Sequence, residues 1–275
     1  MSASALPSRR PDFRQPRRSA TWPMKLRIWL ATVGGIAILT TGTLLALLVS
    51  IATLFRARRF CAEHIAAGMS RMALRLYGVT IVEHSRPTPP ERPVVFISNH
   101  TSSLDVPVII ALGLPNSRYF MSGFLRKIVP LWLLGELIGI FWTANQKFPE
   151  RRIRIFQDAE ARLRRTGESV FLTPEGQCTW RFNKGAFHLA TSLQAPIVPL
   201  FIRIPNEVDP GPWDSGEFHA VRPGVVDVFW GEPIDTSDWS LATVERHRDD
   251  VRAHYIAWAK ALGNDDAEQQ AASHS

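Results

Sequence analysis

The sequence predicts an α/β fold: a largely parallel mixed sheet flanked by helices, preceded by a membrane-embedded helix and an amphipathic helix. Three observations carry this. From Pro93 onward, short apolar runs alternate with longer stretches of helical character, the pattern of parallel strands covered on both faces. From Ile28 to Phe55, "IWLATVGGIAILTTGTLLALLVSIATLF", there is no charged residue. The chain of 275 residues, 45% hydrophobic and 21% charged, suffices for one sizeable domain plus a small appendage and excludes global disorder. A net charge of +7 and a pI of about 10.0 favour an anionic partner, either nucleic acid or a membrane surface.

The elements follow in order. Residues 1–27 are proline-rich and carry Arg9, Arg10, Arg14, Arg17, Arg18, Lys25 and Arg27 against the single acid Asp12. They read as a disordered arm that sets topology or touches anionic headgroups. Residues 28–80 form a membrane-anchoring helical segment. At about 1.5 Å per residue its apolar run is long enough to cross a hydrocarbon core of ~30 Å, and it is too long for the apolar part of a signal peptide. Basic residues flank both ends, with more on the N-terminal side, which would put the remainder of the chain across the membrane after one crossing. A bend near Gly34-Gly35 or Thr40-Thr41-Gly42 would instead return the chain to the same side, since each half would reach only about 21 Å. Within residues 60–77, Phe60, Ile65, Met69, Met72 and Leu76 fall near one helical face and Arg71 and Arg75 on another. That helix lies at the membrane interface or packs on the soluble domain.

The proline-rich "EHSRPTPPERP" (83–93) breaks the pattern, and the α/β domain is expected over 90–262. Its predicted strands are 93–98, 118–122, 140–144, 169–173, 196–204 and 224–231. Its predicted helices are 106–114, 124–139 with a kink at Pro130, 150–165, 182–192 and 239–262. The polar residues 263–275 read as a disordered tail.

Two stretches could carry chemistry. "ISNHTSSLDVP" places His100 and Asp105 just beyond a buried strand, where sites form in α/β sheets. The intervening loop lets Asp105 reach the imidazole, fix its tautomer and stabilise the imidazolium, leaving the other ring nitrogen to accept a hydroxyl proton. The competing role for Asp105, as for Ser102 or Ser103, is to cap the following helix. In "FLTPEGQCTWRFNKGA" a tight turn sets Glu175 at the rim, and Lys184-Gly185 opens a helix whose first amides favour an anion. Cys61 and Cys178 make no disulfide framework, and neither they nor the scattered histidines have metal-site spacing. No metal is predicted.

Taken together, "NHTSSLD", "TPEG", "FNKGA" and "PIVPL" resemble, in order and spacing, the glycerolipid acyltransferase family, whose best-known members are the 1-acylglycerol-3-phosphate acyltransferases. The resemblance covers about Pro93 to Ile234, with "FWGEPID" fitting the family's late strand. It implies that His100 is the general base for the acceptor hydroxyl and Asp105 its orienting partner. Asn99 would shape that loop, Glu175 and Gly176 would stand in the acceptor pocket, and Lys184 would join them at the substrate. Pro199 would mark the acyl-donor side. The implied co-substrate is acyl-CoA or acyl-carrier protein, with no other cofactor and no covalent acyl-enzyme. The implied partners are membrane lipids and a lysolipid acceptor, and the implied location is the inner (cytoplasmic) membrane with the catalytic domain on its cytoplasmic side.

The chain departs from the family at two positions expected to grip a phosphate. Ala144 or Asn145 stands about where the second motif has an arginine, and Cys178 replaces another after Pro-Glu-Gly. Neither restores a bidentate guanidinium, although Lys147, Arg151, Arg152 or Arg181 lie nearby in sequence. The acceptor is therefore expected to be lysophosphatidic acid, another lysophospholipid or a lyso-aminolipid. The alternative reading is a catalytically inactive lipid-binding or membrane-organising protein of the same fold. Nucleic-acid binding rests on charge alone, without a recognition motif, and a serine hydrolase would need a nucleophile elbow that is absent from the sequence.

Overall fold

The computed structural model describes residues 22–88, 91–100, 102–145, 147–175, 180–205, 207–209 and 221–262. The expected arm over 1–21 and the expected tail over 263–275 lie outside these residues. Helix α1 (Trp22–Ala52) is continuous, so the apolar run does not bend at Gly34-Gly35 or at Thr40-Thr41-Gly42. Three of its threonines are accommodated by returning the hydroxyl to a carbonyl one turn back, Thr32 to Ile28 at 2.8 Å, Thr40 to Ile36 at 2.9 Å and Thr43 to Leu39 at 2.7 Å. The helix begins at Trp22, so Lys25 and Arg27 belong to it and not to the arm.

A second helical stretch runs from α2 (Arg58–Phe60) through a π-helical turn, Cys61–Ala66, into α3 (Ala67–Leu76). It packs on α1 and the domain through Cys61, Ala62, Ile65 and Met69, while Met72 and Leu76 stay exposed. Gly42 of α1 makes the close approach possible: a Cβ there would meet the Met69 sulfur at 2.0 Å.

Strand β1 (Val79–His84) was not expected, and it carries the sheet back into the segment assigned to the anchor. Then come β2 (Val95–Ser98), α4 (Asp105–Ala111), β3 (Ser117–Ser122), a 3₁₀ turn (Gly123–Lys127), α5 (Val129–Ile138) and β4 (Phe141–Thr143). The chain continues through α6 (Pro149–Thr166), β5 (Ser169–Leu172), α7 (Gly185–Leu193), β6 (Ile197–Arg203), β7 (Gly224–Trp230) and α8 (Val244–Ala261). Pro130 does not kink a helix. It lies in the first turn of α5, where its missing N–H would have no partner anyway.

The sheet order is β1-β7-β6-β2-β5-β3-β4. Strands β6, β2, β5, β3 and β4 are parallel, β7 is antiparallel to β6, and β1 follows β7. Side chains of β2 alternate between two cores. Val94 and Phe96 join the core under α3, α4 and α5, while Val95 and Ile97 join the core under α6, α7 and α8. Burial on both faces is what makes β2 uniformly apolar until Ser98, and it brings the chain to the sheet edge at Asn99 and His100.

Candidate active site

The C-terminal edge of the five parallel strands gathers the polar residues. Three fixtures hold the turn after β2. The Asn99 side chain is fully buried and bridges to β6, donating to the Ile202 carbonyl at 2.9 Å and accepting the Ile202 N–H at 2.8 Å. From the far side, the buried Tyr255 hydroxyl of α8 donates to the Ile97 and Leu200 carbonyls, each at 3.0 Å. The amide of His100 itself donates to Glu175 Oε1 at 3.3 Å. These contacts set the backbone, and the imidazole is left half-buried.

His100 Nδ1 lies 2.8 Å from Asp105 Oδ2. The Asp105 side chain is 1% exposed, and its Oδ2 also accepts the Ser102 N–H at 3.1 Å. Asp105 is the first residue of α4, and the capping position is Leu104, whose side chain makes no capping bond. Ser102 instead shapes the approach, its hydroxyl accepting the Leu104 N–H at 2.9 Å. The carboxylate is thus turned toward the imidazole.

Burial is the largest influence on His100 and opposes the imidazolium, but the hydrogen bond and charge of Asp105, helped by the charge of Glu175, outweigh it and raise the imidazole above its ordinary value. Glu175 is 3% exposed, and burial pushes its carboxyl up to about 7 although the amides of Trp180 and His100 favour the anion. Its Oε2 accepts the Trp180 N–H at 3.0 Å. Each oxygen of Glu175 thus accepts one backbone amide, which fixes the carboxyl beside the imidazole.

The other predicted residues spread out. Lys184 precedes α7, but its ammonium is bound to Glu245 at the surface. Pro199 is buried inside β6 level with Ile97, and its carbonyl accepts the Gly231 N–H at 2.9 Å. It is part of the sheet, away from the imidazole. Gly176 and Cys178 lie outside the described residues. Ala144, half-buried just past β4, does stand at the active edge, with exposed Lys147 and Arg151 at the start of α6. Two clefts open at the opposite edge, one lined by Arg86, Phe96 and Trp230 and the other by Glu91, Arg92 and Asp235.

The sequence reading missed Asp209, whose carboxylate accepts the Ser102 hydroxyl. Its only signal was a polar turn, "PNEVD", after a buried strand ending at this edge.

The structure thus sets a buried carboxylate on one nitrogen of a rim imidazole. The family described as Acyltransferase matches residues 79–203. Residues 79–203 therefore carry an acyltransferase domain, and the chain is similar to 1-acyl-sn-glycerol-3-phosphate acyltransferases. This acyltransferase is 27% identical over 215 residues to the 1-acyl-sn-glycerol-3-phosphate acyltransferase of Limnanthes alba, covering 73% of this chain and 71% of that protein. It is 32% identical over 136 residues to human 1-acyl-sn-glycerol-3-phosphate acyltransferase alpha, covering 46% of each. Its fold is shared with the crystal structure of the 1-acyl-sn-glycerophosphate acyltransferase of Thermotoga maritima, with a TM-score of 0.66, 19% identity, and coverage of 86% of this chain and 98% of that one. The match begins at Val79, the first residue of β1, which makes the unexpected edge strand part of the acyltransferase domain.

Proposed function

We propose that this acyltransferase moves a fatty acyl group from acyl-CoA or acyl-carrier protein to the hydroxyl of a lysolipid, with His100 as general base. The observation that carries the reading is the 2.8 Å contact between His100 Nδ1 and the buried Asp105. Neutral His100 donates its Nδ1–H to Asp105, so Nε2 takes the acceptor proton as the hydroxyl oxygen attacks the thioester carbonyl. A C–O bond forms, the C–S bond breaks, and the imidazolium returns the proton to the departing thiolate. No acyl-enzyme and no metal is needed for this balance.

The acceptor is a lysoglycerolipid or a lyso-aminolipid. The relatives named for 1-acyl-sn-glycerol-3-phosphate favour the first. Ala144 at the active edge favours acceptors held less by a bare phosphate monoester.

The site works at a membrane surface. On its outer side α1 exposes Trp22, Trp29, Leu44, Leu45, Leu48 and Ile51, and the turn and helix after β3, at the same edge as His100, expose Phe124, Val129 and Trp132. An apolar surface of this extent suits lipid contact. The inner face of α1 is held by the domain: Arg27 donates to the Tyr77 carbonyl at 2.5 Å and Thr43 to the Pro130 carbonyl at 3.2 Å. Contacts spread over so much of the helix favour an α1 lying in one leaflet beside the domain over one projecting through the bilayer. The use of acyl-CoA or acyl-carrier protein, both cytoplasmic, supports a domain on the cytoplasmic face of the inner membrane.

The test is acyl transfer by the purified chain, with acyl-CoA and acyl-carrier protein as donors and a panel of lysophosphatidic acid, other lysophospholipids and lyso-aminolipids as acceptors. Turnover with one donor–acceptor pair, abolished in His100→Ala, is expected. Lipid binding without turnover across the panel would favour the inactive lipid-binding reading.

A further inference from the structure

We propose that Asp209 is a positioning residue for the His100–Asp105 pair, acting through Ser102. The proposal rests on His100 being the base, and it concerns a residue far from both motifs in sequence.

Asp209 ends a tight turn after β6. The Val208 and Asp209 amides both donate to the Pro205 carbonyl, at 2.9 and 3.1 Å, and the Arg222 amide donates to the Val208 carbonyl at 2.9 Å. The turn is therefore closed on itself and tied to the segment that leads into β7. The Asp209 side chain is 8% exposed and its Oδ2 accepts the Ser102 hydroxyl. The Ser102 oxygen in turn accepts the Leu104 N–H at 2.9 Å, while the Ser102 N–H donates at 3.1 Å to Asp105 Oδ2, the oxygen that holds His100.

Ser102 thus has its hydroxyl held by one carboxylate and its amide on another. A serine hydroxyl rotates freely unless an acceptor fixes it. With Asp209 in place, the hydroxyl proton points away from the turn and the oxygen lone pair faces Leu104. That orientation tightens residues 102–104 and aims the Ser102 amide at Asp105. Without Asp209 the hydroxyl turns, the bend relaxes, and Asp105 loses the second donor that sets its rotation. Asn99 secures the chain before His100 to the same strand, through Ile202. The loop is consequently anchored to the β6 segment on both sides of the imidazole, and the Asp209 link is the anchor nearer to Asp105. The charged groups facing His100 remain Asp105 and Glu175, so Asp209 acts by geometry.

The experiment compares Asp209→Ala, Ser102→Ala, the double variant and Asp209→Asn in the full chain. Each alanine variant is expected to lower kcat about tenfold at unchanged KM for the acyl donor, as small misplacements of a reacting group do. The double variant should lose no more than either single one. Asp209→Asn should recover most of the rate, because its amide oxygen still accepts the Ser102 hydroxyl. Unchanged kcat in both alanine variants, or losses that multiply, would overturn the proposal. If Asp209→Ala fails to fold, Ser102→Ala decides alone. A readout independent of turnover separates this proposal from the proposed function. In protein labelled with ¹⁵N at histidine, the Nδ1–H resonance assigned by its loss in His100→Ala should move in Ser102→Ala. If wild type shows that resonance but transfers no acyl group, the functional reading fails and the positioning claim stands. An unmoved resonance sinks the positioning claim.

Discussion

Buried charge occurs at both edges of the same sheet, and the two clusters are built differently. At the edge where β3 and β5 begin, Glu168 is held by Arg58 and Arg118 and accepts the Thr166 hydroxyl at 2.8 Å. The two guanidiniums also close the end of α5, Arg58 donating to the Ile138 carbonyl at 3.0 Å and Arg118 to the Gly139 carbonyl at 3.1 Å. Burial works against the Glu168 anion, but its hydrogen bonds to Arg118 and Thr166 and the arginine charges win, and its pKa falls. At the other edge the balance is reversed for Glu175: burial wins over two amides, and the pKa rises to about 7. One cluster shares a single carboxylate between two guanidiniums and ties α2 to the domain. The other holds a half-buried imidazole on one carboxylate beside a second carboxyl that burial raises to about 7.

The sharpest way to break this comparison is to remove the centre of each cluster. His100→Ala is expected to lower acyl transfer by roughly 10²–10⁴ with little change in unfolding midpoint. Glu168→Ala should do the opposite, costing about 3–5 kcal/mol in denaturant unfolding because two buried guanidiniums lose their counter-charge, while the folded fraction keeps its specific activity. A similar loss of rate in both would erase the distinction.

A smaller effect separates the two carboxyls by pH. Glu175 is raised in the folded state, so its favourable contribution is present below 4.5 and is lost as pH rises toward about 7. Glu168 is lowered, so its contribution is present at neutral pH and is lost only as pH falls through its depressed value. The difference between wild-type and Glu175→Gln stability curves should therefore change by up to about 3 kcal/mol between pH 4.5 and 7, with the variant gaining relative to wild type as pH rises. A flat difference would show that Glu175 is not raised. Smaller still, Gly42→Val should push α1 off Met69, costing about 1–3 kcal/mol of overpacking, and should weaken retention on lipid vesicles without changing the pH dependence.

Much of this was legible in the sequence because strong local signals coincided with global ones. The alternation of buried runs gave the sheet, and "NHTSSLD" gave the pair of groups that the structure joins. What stayed hidden depended on contacts between distant segments. "VTIVEH" has no strict alternation, its polar residues being Thr80, Glu83 and His84, and it pairs with β7 more than a hundred residues later. Pro130 looked like a kink because the 3₁₀ turn that absorbs residues 123–127 leaves no periodic signature. Glu175 was expected in the acceptor pocket, and the amides of His100 and Trp180 that orient its carboxyl are placed only by the fold. Asp209 carried no signal beyond its turn, since its partner Ser102 lies on another strand's loop.

Asp105 is central if it governs the proton affinity of His100, and the pH dependence of kcat/KM tests this directly. Neutral imidazole is the active form, so wild-type acyl transfer should fall on the acid side with an apparent pKa above that of ordinary histidine. Asp105→Asn should move that limb to lower pH and depress the plateau. An acid limb that stays where it was, with the plateau unchanged, would contradict the assignment of His100 and Asp105 as the working pair.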